Sequence, residues 1–153
     1  MELKEQHSSE MGEVRVKVKL TNGGDQMVAD SGDLELAQIR TCEVEGMVDT
    51  GAVRSVIPES VARKLGLPAT RMKTVAFAEG RRQSVPLAGP LVFEIDGRDT
   101  FDDAYVLGDE VLIGQTVLEK MDLLVDCARQ RLVPAHPEGR SISLSGLSGF
   151  SWV

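Results

Sequence analysis

Aromatic residues are scarce in this chain of 153 residues: four Phe, one Tyr and one Trp make up only 4% of it. A core must therefore be built from Val, Leu, Ile, Ala and Met. Cysteine is scarcer still, and Cys42 and Cys127 lie far apart. They read as reduced thiols, which excludes a disulfide scaffold. The two histidines fall in polar or Pro-flanked stretches, His7 near the start and His136 near the end. No Cys/His spacing suits a metal, so neither metal nor cofactor is expected. No run of 18 apolar residues exists, which excludes a membrane-spanning helix. The polar start, MELKEQHSSEMGE, does not resemble a secretory signal, so a cytoplasmic location is expected. Positive charge is in deficit, with 17 Lys and Arg against 24 Asp and Glu, a net charge of −7. Such a surface repels phosphate backbones and anionic lipid, so nucleic acid and membrane are not expected partners.

What remains is an ordinary globular composition, 42% hydrophobic and 27% charged, of one-domain length. Fifteen glycines point to many turns, and hence to strands. Residues 1–12 are polar and read as a flexible tail. Residues 13–135 read as the domain, and 136–153 as a Ser/Gly-rich C-terminal tail carrying Ile142, Leu144, Leu147, Phe150 and Trp152.

Along the domain, Val14, Val16, Val18 and Leu20 alternate with charges, the pattern of a half-buried strand. Asn22-Gly23-Gly24-Asp25 reads as a turn ending it. Residues 34–48 read as strand, and 58–65 as a helix with Pro58 at its first position and Gly66 as its stop. Residues 73–79 and 82–88 flank Glu79-Gly80-Arg81 as the arms of a hairpin. Residues 91–95 and 103–107 read as strands, and Val111-Leu112-Ile113 as a strand buried on both faces. Residues 115–121 suit a short helix, and 122–126 with 131–133 a last hairpin. The pattern predicts about eight or nine short strands and two helices.

One stretch carries chemistry: Met47-Val48-Asp49-Thr50-Gly51-Ala52, followed by Ser55-Val56. An acid follows an apolar strand end, and small residues behind it leave room for another group to approach the backbone. An ordinary Asp turn after a strand has the same local composition. The stretch resembles the active-site loop of the retropepsin-like aspartic proteases, the dimeric relatives of pepsin. Two further elements fit the same family in order. One is Leu112-Ile113-Gly114 leading into a short helix. The other is the hairpin 74–85 with Gly80 at its tip, where the family has its flap. The resemblance spans about residues 13–134, and the bacterial and archaeal single-domain type is the nearest likeness.

The resemblance implies a mostly-β acid-protease fold, a closed barrel or sandwich with one or two short helices. It implies an aspartic endopeptidase in which Asp49 is the catalytic acid, with Thr50, Gly51 and Ala52 completing the loop. Glu79, Gly80 and Arg81 would cover the peptide, and Leu112 and Ile113 would shape its side-chain pockets. The tip residues Arg81 and Arg82 also suit a solvated turn, and Leu112 and Ile113 a plain core. The chain holds a single Asp-Thr-Gly-Ala loop, whereas the chemistry needs two carboxylates sharing a proton. A homodimer with Asp49 facing its own copy is therefore implied, with the C-terminal tail at its interface and a peptide or protein as substrate. A catalytically silent, dimeric peptide-binding or regulatory module of the same fold is the alternative.

Overall fold

The computed structural model describes residues 13–35 and 38–137. Among the described residues nine strands run in chain order: β1 Arg15–Asn22, β2 Thr41–Val48, β3 Ser55–Ile57, β4 Arg71–Ala76, β5 Arg82–Ile95, β6 Arg98–Val106, β7 Val111–Ile113, β8 Leu123–Asp126 and β9 Arg131–Pro134. Three short helices among the described residues are interspersed: α1 Gly23–Asp30, α2 Glu59–Lys64 and α3 Gln115–Met121.

Six strands close on themselves in the order β1-β2-β7-β3-β6-β5, and β5 pairs back onto β1. The β2–β7 and β3–β6 pairs are parallel; the others in the ring are antiparallel. Closure removes the free edges that an open sheet would expose. The architecture is the mostly-β closed barrel, with few and short helices, of the acid-protease fold. Its interior is filled by Leu20, Leu91, Phe93, Ile95 and Ile113, none more than 1% exposed. Each contributes about 1.5–3 kcal/mol relative to an exposed side chain. Phe93 is the largest fully buried side chain, so the rest of the core is aliphatic, as the shortage of rings requires.

β5 is 14 residues long; β6 lines one edge, and a bulge between Ala88 and Leu91 lets the other edge serve two partners in turn. Before the bulge it pairs with β4 to form a hairpin standing off the barrel. Beyond it, Leu91–Glu94 pair with β1 and seal the ring. Residues 91–95 are therefore the second half of a longer strand, not a strand of their own. β6 likewise extends beyond the expected 103–107.

Three further readings are corrected. Asn22-Gly23-Gly24-Asp25 is not a turn but the start of α1. Asn22 caps it, its Oδ1 accepting from the Asp25 N–H at 2.9 Å. Gly23 serves close packing, because a Cβ there would lie 2.7 Å from the Pro90 carbonyl oxygen. The strand expected over 34–48 begins only at Thr41. Just before it, Arg40 forms a two-pronged ion pair with Asp25, Nε to Oδ2 at 2.8 Å and Nη2 to Oδ1 at 2.9 Å. Pro58 stands one place outside α2, as its N-cap. The expected tail at 1–12, and the apolar residues from Ile142 to Trp152, lie outside the described residues.

Candidate active site

β2 delivers Asp49 by extending its parallel pairing with β7, in which Met47 faces Leu112 and Val48 faces Ile113. The Asp49 N–H continues that ladder, donating to the Ile113 carbonyl at 2.9 Å. The chain then turns sharply. The Ala52 N–H donates to the Asp49 carbonyl at 3.1 Å, and the Gly51 N–H to Asp49 Oδ1 at 3.1 Å. An Asp in any tight turn makes the second of these bonds. This loop is set apart by what holds its far side.

The first N–H groups of a helix have no partner within the helix. In α3 they reach the loop: the Gln115 N–H donates to the Ala52 carbonyl at 2.9 Å, and the Thr116 N–H to the Val53 carbonyl at 3.0 Å. One residue earlier, the Gly114 N–H donates to Ser55 Oγ at 2.8 Å, with Ser55 fully buried. The backbones approach so closely that a Cβ on Gly114 would sit 2.6 Å from the Arg54 carbonyl carbon. Val56 then pairs antiparallel with Leu112. The Asp-Thr-Gly-Ala loop and the Leu-Ile-Gly segment thus interlock into one unit.

Behind that unit lies Asp102, whose side chain is only 8% exposed. It accepts from Thr116 Oγ1 at 2.7 Å and faces Arg54 Nη1 and Lys120 Nζ, each at 3.5 Å. It ties the loop's exit to α3. Sequence reasoning gave neither Ser55 nor Asp102 a role. Ser55 stands within the loop pattern and could have been singled out there. Asp102 has no local signal, because the side chains it engages, Thr116, Lys120 and Arg54, are 14 or more residues away.

Asp49 itself is half-buried, Thr50 and Gly51 are exposed, and Ala52 is half-buried. Next to them the apolar Val53 stands 73% exposed. β4 and β5 carry the turn 77–81, closed by the Phe77 N–H to Arg81 carbonyl bond and the Gly80 N–H to Phe77 carbonyl bond, both 2.8 Å. Gly80 has φ +91°, a backbone that favours glycine. Arg81 lies 4.3 Å from the Phe77 ring centroid, pairs with Glu79 at 3.0 Å and donates to Gln83 Oε1 at 2.7 Å. A bond from the Glu79 backbone N–H, and then Arg81, hold the Glu79 carboxyl below the usual carboxylate range.

Between this turn and the β3–β7 pair runs a cleft of about 360 Å³, floored by Val56 and Leu112 and walled by Leu107, Asp109 and Glu110. Leu112 thus faces the cleft, while Ile113 is fully buried in the barrel. Among the described residues no group of three His, Cys, Asp or Glu side chains is placed to hold a metal. No helix among them is long and apolar enough to cross a membrane.

The sequence model of the family described as "gag-polyprotein putative aspartyl protease" matches residues 36–120, more than half of the chain. That span holds the Asp49 loop, the hairpin and the Leu-Ile-Gly segment. No curated protein matches the chain.

Proposed function

The chain belongs to this retropepsin-like aspartyl protease family, and on that premise we propose that it is an aspartic endopeptidase active as a homodimer. Asp49 of one subunit meets Asp49 of the other across a two-fold axis. Two carboxyls in contact share one proton. The ionised one takes a proton from a water held between them, and the water oxygen bonds to the peptide carbonyl carbon. The protonated one gives its proton to the carbonyl oxygen, so no free oxyanion forms. Collapse of this tetrahedral species breaks the C–N bond, and the amine nitrogen leaves with a proton. Thr50 would bond across the axis and keep the carboxyls coplanar. The Gly51 carbonyl would accept from the peptide backbone. Glu79, Gly80 and Arg81 would cover the peptide, and Leu112, backed by Ile113, would contact its side chains.

The observation that carries this reading is the doubly held loop. Asp49 is fixed from one side by the Ile113 carbonyl, and its loop from the other by the first N–H groups of α3. A plain turn needs neither. The exposed run Thr50, Gly51 and Val53 also suits a face that a second copy covers.

The test is cleavage of a random peptide library by the native chain and by Asp49→Asn. The native chain should cleave it, and the variant should lose ~10³-fold or more with its fold intact. Equal cleavage by both would refute the assignment. Peptide binding by both with cleavage by neither would establish the silent module instead.

A further inference from the structure

The cleft under the hairpin turn has a composition that discriminates among peptide side chains. Its floor is apolar: Val56 and Leu112 are buried and paired across β3 and β7, and Phe77 closes it from the hairpin. Its wall ends in two carboxylates, Asp109 and Glu110. The single cation on the lining, Arg81, is already committed. It pairs with Glu79, donates to Gln83 and lies over the Phe77 ring. Glu110 has only a long contact with Arg15, 3.7 Å between side chains that are each about 40% exposed. Such a contact contributes little. Asp109 has no ion pair among the described residues and stands exposed at the rim. The cleft thus offers an apolar channel leading to weakly compensated negative charge.

We infer that this cleft selects a lysine or arginine side chain of the bound peptide, with Asp109 and Glu110 as specificity-determining residues. Lys and Arg combine an aliphatic stem with a cationic head and so cover apolar surface while keeping the charge at a rim. Here the stem would lie on Val56, Leu112 and Phe77, and the head would reach Asp109 and Glu110. An acidic side chain would meet like charge at the rim, the repulsive element that specificity requires. The net charge of −7 favours approach of the same basic peptides. This inference rests on the peptide lying between the hairpin and the Asp49 loop.

The test separates binding from turnover. Asp49→Asn is titrated, by fluorescence anisotropy, with three labelled peptides that differ at one position, Lys, Leu or Glu, scanned along an otherwise Ala/Val sequence. At one position of the scan the Lys peptide should bind about five- to thirty-fold tighter than the Leu peptide, and the Glu peptide weakest. The preference should shrink between 50 mM and 500 mM salt. Asp109→Asn with Glu110→Gln should abolish the Lys preference, weakening the Lys peptide more than the Leu peptide. A Leu or Glu preference at every position, a Lys preference that survives the double substitution, or no binding of any peptide would overturn the inference. The protease reading fails separately, if the native chain binds these peptides without cleaving them.

Discussion

Replacing Ser55 by Ala tests whether the interlock holds the Asp49 loop. Ser55 is fully buried, and its Oγ accepts the Gly114 N–H at 2.8 Å across 59 residues of sequence. The substitution removes one oxygen and barely changes volume, so packing loss is minor. It does orphan a buried donor, since Gly114 is itself buried and its N–H has no helical carbonyl to turn to. An orphaned buried N–H costs about 1–3 kcal/mol. At roughly 4 °C per kcal/mol for a domain of this size, the melting temperature should fall by about 4–12 °C. The urea midpoint should fall by ~1 M at unchanged slope. Ser60→Ala, on the exposed side of α2, provides the comparison and should stay within about 0.5 kcal/mol of native. The proposed peptidase activity should fall further than stability alone accounts for, because β3 begins at the bond that is lost. If Ser55→Ala melts with the native chain, the bond does not brace the loop and the account of the interlock fails.

Gly114→Ala should be at least as damaging, ~1–3 kcal/mol or more, because the new methyl meets the Arg54 backbone and not a side chain that can yield; an unchanged thermal melt would contradict the packing described. Arg40, through its side-chain bonds and then its backbone N–H, draws the Asp25 carboxyl from 3.8 down to about 2. A folded-state value below the unfolded one stabilises fully above about pH 4 and is lost as pH falls toward 2. With Arg40 half exposed the contribution is ~1 kcal/mol, so native and Asp25→Asn urea midpoints should differ at pH 7 and converge near pH 2; a constant gap would refute the linkage. An equal mixture of native and Asp49→Asn subunits that exchange freely leaves about a quarter of dimers with both carboxyls. Activity falling to one quarter supports the shared site, and activity falling only to one half refutes it. A peptide mimic carrying a hydroxyl at the scissile position should inhibit, whereas inhibition by chelators alone would point to different chemistry.

What could be read from the sequence was what is local. Val111-Leu112-Ile113 and α3 are short apolar or amphipathic stretches bounded by Gly108, Gly114 and Asp122, and they fold where pattern and punctuation place them. Asp49 could be singled out because its loop is four consecutive residues. The misreadings arise where distant contacts override local chemistry. Asn-Gly-Gly-Asp is turn-forming by itself, yet Asn22 Nδ2 donates to the Leu65 carbonyl at 2.8 Å and Asp25 grips Arg40, and these bonds commit the segment to a helix. Residues 82–88 and 91–95 read as two separate segments, and a bulge between Ala88 and Leu91 lets one strand run through both. Leu112 and Ile113 read alike as apolar neighbours, although neighbours on a strand point to opposite faces. That alternation alone separates a cleft residue from a core residue. Ser55 and Gly114 stand inside readable motifs, but the bond between them spans 59 residues and has no local signature, and neither has the contact of Asp102 with Thr116.

The interlock also has a consequence for timing. Asp49 lies in the first third of the chain, but the groups that hold its loop, the Ile113 carbonyl and the N–H groups from Gly114 to Thr116, come more than 60 residues later. During synthesis, the parallel β2–β7 pair cannot form until β7 has left the ribosome. Until then the Asp49 loop lacks its supports, and the barrel lacks the strand that joins β2 to β3. A ribosome-bound chain that has emerged only as far as residue 110 should therefore carry no formed site, even with Asp49 long since translated. The proposed peptidase activity therefore cannot act on the chain's own unfolded segments, or on its neighbours on the polysome, before the barrel is closed.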